Sequence, residues 1–307
     1  MRAGRSSDSF LCFLGLILLG VLSFCGQAGA CEYLQKFGGE SSGAGRLSKP
    51  YDVTLDASGN AWVADTEHKR VQKFNSSGEF VSQFSVKPAA GAESGLDGPT
   101  GVGVDSEGNL WVASPSALRK FKPNGELLLE KAALFEFGEL RDVVVDPSGS
   151  VWVVDRSASK VKKFNSKGEL LTQFGKSGTG NGEFKSPEAI AADSEGNILV
   201  ADTGNNRYQE FTSAGVFVRS VGSKGTGNGQ FESPRGIAVD SEGRVWVTDS
   251  GNSRLQRFSS KGAYQTQFGT FGPNDGQFVE PRGVTVSGTS IWVADTGNDR
   301  VQKLGGC

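Results

Sequence analysis

Six positions at equivalent points of the chain carry side chains that could grip an anionic ligand together. Each comes just before a short run of alternating apolar residues, and they are Tyr51, Thr100, Arg141, Glu188, Arg235 and Arg282. Guanidinium groups bind carboxylates and phosphates through paired hydrogen bonds, so this set would suit a carboxylate, a phosphate or an acidic sugar. The alternative is that the arginines pair with acids of the chain itself, such as Asp52, Asp142 and Glu188.

These positions can converge only if the elements that carry them repeat around a common axis. The chain contains six related copies, each with an alternating run, a polar turn with Gly, a Trp/Val run, a second turn and a third run that ends in Phe or Leu. The copies follow one another at intervals of 41 to 49 residues, near the period of propeller blades. A Trp recurs at Trp62, Trp111, Trp152, Trp246 and Trp292, with Leu199 in the fourth copy. We expect these large side chains to pack between adjacent blades.

The repeated pattern resembles the NHL repeat, most clearly from Pro234 to Phe258 and from Pro281 to Leu304. The resemblance covers residues 31–307 and implies an all-β fold, a six-bladed β-propeller of four-stranded antiparallel blades. The sixth copy lacks a fourth run, whereas residues 31–38 match one. We therefore expect residues 31–38 to supply the outer strand of blade six, so that the N-terminal strand closes the ring. The six strand starts would then surround one mouth of the central channel.

Residues 1–30 have the features of a secretory signal peptide. Arg2 and Arg5 precede an apolar stretch from Phe10 to Phe24, which small residues up to Ala30 follow. That stretch is too short for an ordinary membrane-spanning helix. We expect cleavage near Ala30, residues 31–307 as a single propeller domain, and a location outside the cell or in the cell envelope.

Two of the four cysteines, Cys31 and Cys307, stand at opposite ends of the predicted propeller. Ring closure would bring them together, and an oxidising compartment favours a disulfide between them. In the loop-entropy model, a disulfide that closes a loop of this length would stabilise the fold by about 4 to 5 kcal/mol. The alternative is a lipid anchor on Cys31, because the preceding Ala28-Gly29-Ala30 partly resembles a lipoprotein signal.

Composition argues against a nucleic-acid partner. The formal net charge is −2, whereas nucleic-acid binding relies on clustered basic residues that neutralise phosphates. Some NHL propellers bind RNA through a basic face, but the predicted export and this charge do not favour that role. We expect a monomer whose partner is a protein, a peptide or a glycan.

An Asp followed five residues later by a basic residue is the most repeated charged pair. Such pairs are predicted to stabilise the turn between the second and third strands, because a feature present in nearly every copy is architectural. The pairs are Asp65 and Arg70, Asp155 and Lys160, Asp202 and Arg207, Asp249 and Arg254, and Asp295 and Arg300. In the second copy Ser114 and Arg119 replace the pair, so we expect a different turn there.

The residues that would support a metal site are few. His68 is the single histidine of the chain and is interpreted as a solvated loop residue, so a histidine-ligated catalytic metal is not expected. Acidic segments such as Asp105 to Asn109 lack the spacing of an EF-hand and are read as hairpin turns. Gly-rich stretches such as residues 178–184 lead into strands, so they are interpreted as flexible connections and not as phosphate-binding loops. We predict no cofactor, with calcium as the ion that an enzymatic role would require.

The favoured interpretation is an exported, non-catalytic propeller that recognises a protein, peptide or glycan at one channel mouth. NHL propellers serve as interaction platforms. For this chain the resemblance implies only the binding module of such proteins. One alternative is a propeller enzyme, either a lyase or a calcium-assisted lactonase-like hydrolase. It would require carboxylates that converge on the channel, for which Asp52, Asp142 and Glu188 are the candidates. Another alternative is a structural component of the envelope.

Overall fold

The computed structural model of the protein describes residues 31–87, 98–132 and 138–306. Over these ranges the chain forms six antiparallel sheets of four strands each. The predicted all-β, six-bladed propeller is therefore confirmed. In the same ranges, no helix has the length and hydropathy needed to span a membrane. The predicted signal peptide lies outside the described residues.

The strands follow the repeats of the sequence. After β1 (Glu32–Gly38), blade one contains β2 (Pro50–Leu55), β3 (Ala61–Asp65), β4 (Arg70–Phe74) and β5 (Phe80–Ser85). Blade two contains β6 (Gly101–Val104), β7 (Leu110–Ser114), β8 (Ala117–Phe121) and β9 (Leu127–Ala132). Blade three contains β10 (Leu140–Val145), β11 (Val151–Asp155), β12 (Lys160–Phe164) and β13 (Leu170–Phe174).

The second half of the ring is built in the same way, with three short 3-10 helices in its turns. Blade four contains β14 (Ala189–Ala192), β15 (Ile198–Asp202), β16 (Arg207–Phe211) and β17 (Phe217–Val221). Blade five contains β18 (Pro234–Val239), β19 (Val245–Asp249), β20 (Arg254–Phe258) and β21 (Tyr264–Phe268). Blade six contains β22 (Pro281–Ser287), β23 (Ser290–Asp295) and β24 (Arg300–Gly305). The 3-10 helices are Thr203–Asn205, Ser250–Asn252 and Thr296–Asn298.

The strand β1 pairs with β24 as the fourth strand of the sixth sheet. Glu32 lies opposite Gly305, and Phe37 lies opposite Val301. Around the axis, each innermost strand contacts the innermost strand of the next blade, and β22 contacts β2. The six innermost strands thus form a ring around the channel.

The recurring tryptophans pack between neighbouring blades, as predicted. All five are at most 2 % exposed, and Trp62 of blade one lies in one cluster with Val102 and Leu110 of blade two. In three blades the indole N–H donates to an Asp of the turn between the first two strands, as where Trp152 donates to Asp146 at 2.8 Å. These three tryptophans therefore bury a large apolar area and also pair their polar atom, whereas the buried Nε1 of Trp111 has no partner in the described parts of the chain.

Blade four replaces this Trp with Leu199 and compensates within the same cluster. Tyr208 is fully buried beside Leu199 and contacts Phe258 of blade five at 5.7 Å between ring centroids. It stands where blades one and three carry Val71 and Val161. A large residue has thus moved from the second strand to the third, which keeps the interface filled.

The Gly-rich connections between blades are ordered turns, which corrects the expectation of flexible linkers. In the connection before blade four, Gly178 donates its amide to Phe184 at 3.0 Å, and Phe184 donates to Lys176 at 2.8 Å. The rings of Phe184, Phe231 and Phe278 are fully buried. Each of these connections is therefore anchored by an aromatic side chain as well as by backbone hydrogen bonds.

Candidate functional site

The six strand-start positions do converge. They line one cavity of about 190 Å³ at one end of the channel, together with the residues that follow them on the innermost strands. Thr100 is 6 % exposed, and its hydroxyl lies 3.2 Å from the carbonyl oxygens of Ala113 and Leu140. Thr100 is therefore part of the wall, and the charged and aromatic members of the set form the mouth.

Three arginines dominate this mouth, and we call Arg141, Arg235 and Arg282 the mouth arginines. Glu139 is bound by Arg141, whereas Glu188 lies 3.8 Å from both Arg141 and Arg282. Pairing with Glu188 was one expected alternative, but at these distances it is loose. Arg235 has its nearest carboxylate at 3.5 Å, on the exposed Glu280.

Each of the mouth arginines has a hydrogen-bond donor that is not used within the described residues. Their Nε atoms are buried, and within the described parts of the chain none of them has a hydrogen-bond partner. Burial lowers the pKa of Arg282, and the positive charges of Arg235 and Arg141 act in the same direction. The guanidinium of Arg282 also lies 4.0 Å from the ring centroid of Tyr51, a cation–π contact that fixes its position. Unpaired donors crowded by like charges favour the binding of an anion.

Two residues of the mouth were not found from the sequence. Arg156, in the turn between β11 and β12, lies 3.1 Å from Glu139 and 3.0 Å from Glu188. It follows the repeated Asp, where four other blades carry Thr or Ser and blade two carries Pro115. In those blades the hydroxyl bonds the carbonyl of the next blade, as Thr66 does with Pro99 at 2.8 Å. The departure from Thr or Ser was the signal that would have identified Arg156.

Directly inside the mouth lie two carboxyl groups, Asp52 and Asp142, which we call the floor pair. They line the same cavity, and each carboxyl acts on the pKa of the other. Asp52 accepts the amide of Val102 at 2.9 Å, and Asp142 accepts the amide of Ile190 at 2.9 Å. The floor pair therefore links blades one to four across the channel. The arginines do not pair with it as one alternative had proposed, since the ion pairs of the mouth arginines run to glutamates.

Glycines make room for the floor pair. Blades two, five and six carry Gly at the position of Asp52 and Asp142. A Cβ atom on Gly283 would lie 2.4 Å from a carboxylate oxygen of Asp52, and one on Gly101 would lie 2.7 Å from a carboxylate oxygen of Asp142. The side chains of the floor pair thus occupy space that any other residue at these glycines would fill.

The floor pair binds a proton more readily than ordinary aspartates do. Burial raises the pKa of Asp52 to about 6, although the amides of Val102 and Val53 act in the opposite direction. Burial and then the charge of Asp52 raise the pKa of Asp142 well above its usual value. Two carboxyls in contact cannot both ionise without repulsion, so the pair keeps a shared proton to a higher pH than isolated aspartates do.

The opposite end of the channel has different chemistry. Its cavity of about 500 Å³ is lined by turn residues that include Asp105, Asp146 and Asp240. Each of these aspartates accepts backbone amides of its own turn and forms an ion pair with a basic side chain. Asp105, for example, accepts the amide of Asn109, and Lys120 lies 2.8 Å from its carboxylate. Asp105 to Asn109 is therefore a hairpin turn, as expected. In the described ranges no group of three or more His, Cys, Asp or Glu side chains is arranged to hold a metal ion.

The repeated Asp and Arg residues are structural. The Arg Nε to Asp Oδ2 distances are 2.6 Å for Asp65 and Arg70, and 2.7 Å for Asp202 and Arg207, Asp249 and Arg254, and Asp295 and Arg300. The Asp also accepts a backbone amide of the incoming connection, as from Lys185 to Asp202 at 2.8 Å. Arg207 donates to carbonyl oxygens of the same connection. Each unit therefore ties a connection to its blade.

Two of these turns depart from the repeated pattern, and the turn in blade three also departs from the sequence-based expectation. In blade three, Asp155 forms its ion pair with Lys162 at 2.8 Å, and not with Lys160 as the repeat spacing had indicated. In blade two the turn is shorter, and Arg119 binds Ser114 at 2.8 Å and Glu130 at 2.7 Å. A different turn in the second copy is thus confirmed.

His68 and Cys31 lie away from the mouth. His68 is half-buried with its Nδ1 2.9 Å from Asp65, so it is part of a turn and not a solvated loop residue. Cys31 is buried in a cluster with Leu304 near the end of β24. Its predicted partner Cys307 lies outside the described residues, so the disulfide stays a prediction.

Comparison with known proteins agrees with this architecture. The sequence profile of the NHL repeat matches residues 47–74, 184–211 and 231–258. The chain is thus a six-bladed propeller that contains NHL repeats. No curated protein matches the sequence.

Several solved structures share the fold at low sequence identity. Virginiamycin B lyase from Staphylococcus aureus is 14 % identical over 89 % of this chain and 99 % of its own, with a TM-score of 0.61. Regucalcin, a calcium-binding protein from Agrobacterium tumefaciens, is 17 % identical over 88 % of this chain and 94 % of its own, with a TM-score of 0.63. A gluconolactonase from Xanthomonas campestris is 14 % identical over 92 % of this chain and 99 % of its own, with a TM-score of 0.63. At these identities the likeness concerns the fold alone.

Proposed function

We propose that this protein is an exported binding propeller that recognises a ligand through an acidic group at the channel mouth. The observation that carries the proposal is the convergence of the three mouth arginines with buried, unpartnered Nε atoms. Four guanidinium groups face the three carboxylates of Glu139, Glu188 and Glu280 there, so positive charge is in excess by one at acidic pH, where the floor pair is protonated. A carboxylate of the ligand would accept these donors and relieve the repulsion between Arg282 and Arg235.

The size of the cavity limits what enters it. Small-molecule pockets commonly measure about 300 to 1,000 Å³, whereas this cavity measures about 190 Å³. It has room for the terminal group of a peptide or glycan, and the rest of such a ligand would lie on the surrounding face. Phe271, 74 % exposed on the connection that leads into β22, offers an apolar contact on that face.

The proposal is tested with a simple carboxylate probe, N-acetyl-L-alanine, whose binding is followed by ligand-observed NMR at pH 5.5. The double variant R235E/R282E should abolish binding, because it replaces two donors with two negative charges. The matched control is R244E, because Arg244 pairs with Asp240 at the opposite end of the channel. Equal binding by the wild type and R235E/R282E, with both folded by circular dichroism, would refute the proposal.

Export and the Cys31–Cys307 disulfide belong to the same proposal. Support comes from the buried Cys31 beside β24 and from the pairing of Glu32 with Gly305, which brings the two ends of the ring together. Intact mass measured before and after reduction, on protein purified from the periplasm or medium, checks the disulfide. A mass that includes diacylglycerol on Cys31 would instead identify a lipid anchor.

An enzymatic role is the second candidate, and one observation favours it. The floor pair is a convergence of carboxylates in the channel, which a propeller lyase or a calcium-assisted hydrolase would need. The similar folds include enzymes, among them the lyase and the gluconolactonase named above. Turnover of a lactone or an acidic substrate that D142N abolishes, or that a chelator abolishes, would support this candidate over a binding role.

A further inference from the structure

The charges at the channel mouth lie in two layers. The mouth arginines form the outer layer, and the floor pair forms the inner layer. The carboxylate of Asp52 lies beside Gly283, the residue that follows Arg282, and Asp142 directly follows Arg141. A ligand that contacts both layers must itself carry both charges.

The two layers are close together along the axis. Asp52 directly follows Tyr51, and Asp142 directly follows Arg141, so floor and mouth are separated by one residue, about 3.3 Å of strand. Groups attached to a single carbon atom of a ligand can span such a short separation. Below the floor, the lining of the channel is mostly apolar, with residues such as Val104, Val145 and Val239, and its polar side chains are those of Thr54 and Thr285.

We propose that the channel mouth binds a zwitterionic amino-acid head group, with its carboxylate on the mouth arginines and its ammonium on the floor pair. Both a free amino acid and the side-chain end of a diamino-acid residue in a peptide carry this group. The inference rests on the proposed function, since it adds a second contact to the same site. A ligand with a carboxylate alone would meet the negative floor, and one with an ammonium alone would meet the arginines.

The number of protons released or taken up on binding distinguishes a zwitterionic ligand from a simple anion. The charged groups that face the floor pair are Glu188 and the mouth arginines, with Arg156 and Glu139 behind them, and the phenol of Tyr51 lies beside them. An ammonium on the floor pair stabilises its ionised form and displaces the shared proton, so binding releases protons. A bare anion has the opposite effect, because it favours the protonated pair, and its binding takes protons up.

The experiment compares L-alanine, N-acetyl-L-alanine and L-alaninamide by titration calorimetry at pH 7 in buffers of different ionisation enthalpy. L-alanine should bind about tenfold or more tightly than either derivative, since each derivative lacks one charge-assisted contact. Its binding should release protons. N-acetyl-L-alanine that binds as tightly as L-alanine, or proton uptake with L-alanine, overturns the inference but leaves the proposed function intact.

The variant D52N/D142N separates a ligand contact from a structural role. It should lose the preference for L-alanine, yet bind N-acetyl-L-alanine more tightly than the wild type does, because the floor is then neutral. A general loss of structure would weaken both ligands, which circular dichroism would detect. In that event D142N alone is compared in the same way, and an unchanged preference there overturns the inference.

One further probe completes the test. A tripeptide whose diamino-acid residue keeps its distal amino and carboxyl groups free should bind as a zwitterion, and its affinity relative to L-alanine tells a peptide source from a free amino acid. Failure of every probe at both pH 5.5 and pH 7 overturns this inference and the proposed function together.

Discussion

The substitution D52N should make the protein more stable at alkaline pH. A carboxyl group whose pKa is higher in the folded chain than in the unfolded chain favours folding below about pH 4, and it loses this contribution as the pH rises past its folded pKa. For Asp52 the folded value is about 6, against a reference value of 3.8. At about 1.36 kcal/mol for each pKa unit, the wild type should lose about 3 kcal/mol between pH 4 and pH 8 through this group.

Asparagine imitates the protonated carboxyl without titrating. Its carbonyl oxygen can still accept the amide of Val102, and its amide can donate to Asp142. Only near pH 4 or below should the two proteins differ little. About half of the loss in the wild type has already occurred at pH 5, so D52N should be the more stable by about 1.5 kcal/mol at pH 5 and by about 3 kcal/mol at pH 8. Urea unfolding at pH 5, 6, 7 and 8 measures this difference directly.

The control for this prediction is D105N. Burial raises the pKa of Asp105, but hydrogen bonds from Lys120 and Asn109 outweigh it and lower that pKa below its ordinary value. D105N should lose stability by a similar amount at every pH from 6 to 8. If the stability of D52N follows that of the wild type in parallel from pH 5 to pH 8, the argument for a shared proton in the floor pair is refuted.

Three further predictions concern the ring. L199W alone should overpack the interface between blades four and five and cost about 1 to 3 kcal/mol, and L199W/Y208V should recover most of that loss, which denaturant unfolding of the double-mutant cycle checks. D295N should destabilise by about 3 kcal/mol or more, because it leaves the buried Arg300 without its carboxylate partner; hydrogen exchange should increase first in the connection before β22, and uniform exchange would contradict this role. G101A should lower the melting temperature, since its Cβ would lie 2.6 Å from the Cα of Asp142, and an unchanged melting temperature would show that the floor can shift.

The fold could be predicted because its determinants are repeated six times in the sequence. The Asp-x-x-Gly turns, the Trp/Val runs and the Asp–Arg pairs each signal one element, and their agreement across copies fixes the architecture. Topology also placed the strand starts around one channel mouth. Tertiary contacts could not be predicted in the same way, because which acid an arginine meets depends on side chains from several blades. Glu139 and Arg156 were missed for that reason.

The position of the floor pair within the repeat indicates its role. Asp52 and Asp142 were considered as partners for the arginines, but their place in the repeat, where three blades carry Gly, indicates a different role. A Gly at a crowded position admits no side chain without a rearrangement, so an Asp there requires its neighbours to remain small. Gly101 and Gly283 meet this requirement. The substitution of Gly by Asp in two blades is therefore a coordinated feature of the ring and not a local variation.

Departures from the repeat fall into two physical classes, and the difference separates structure from function. In blade four, Leu199 and Tyr208 depart together, and each compensates for the volume change of the other within one buried cluster, where the hydroxyl of Tyr208 alone has no partner among the described residues. At the mouth, the departures to Arg and Asp place several buried unpaired donors and two carboxyls with raised pKa values around one cavity. Such a concentration of uncompensated polar groups at a cavity is typical of a binding site. In a ring built from equivalent blades, the positions where the copies disagree without internal compensation are therefore where a ligand should be sought.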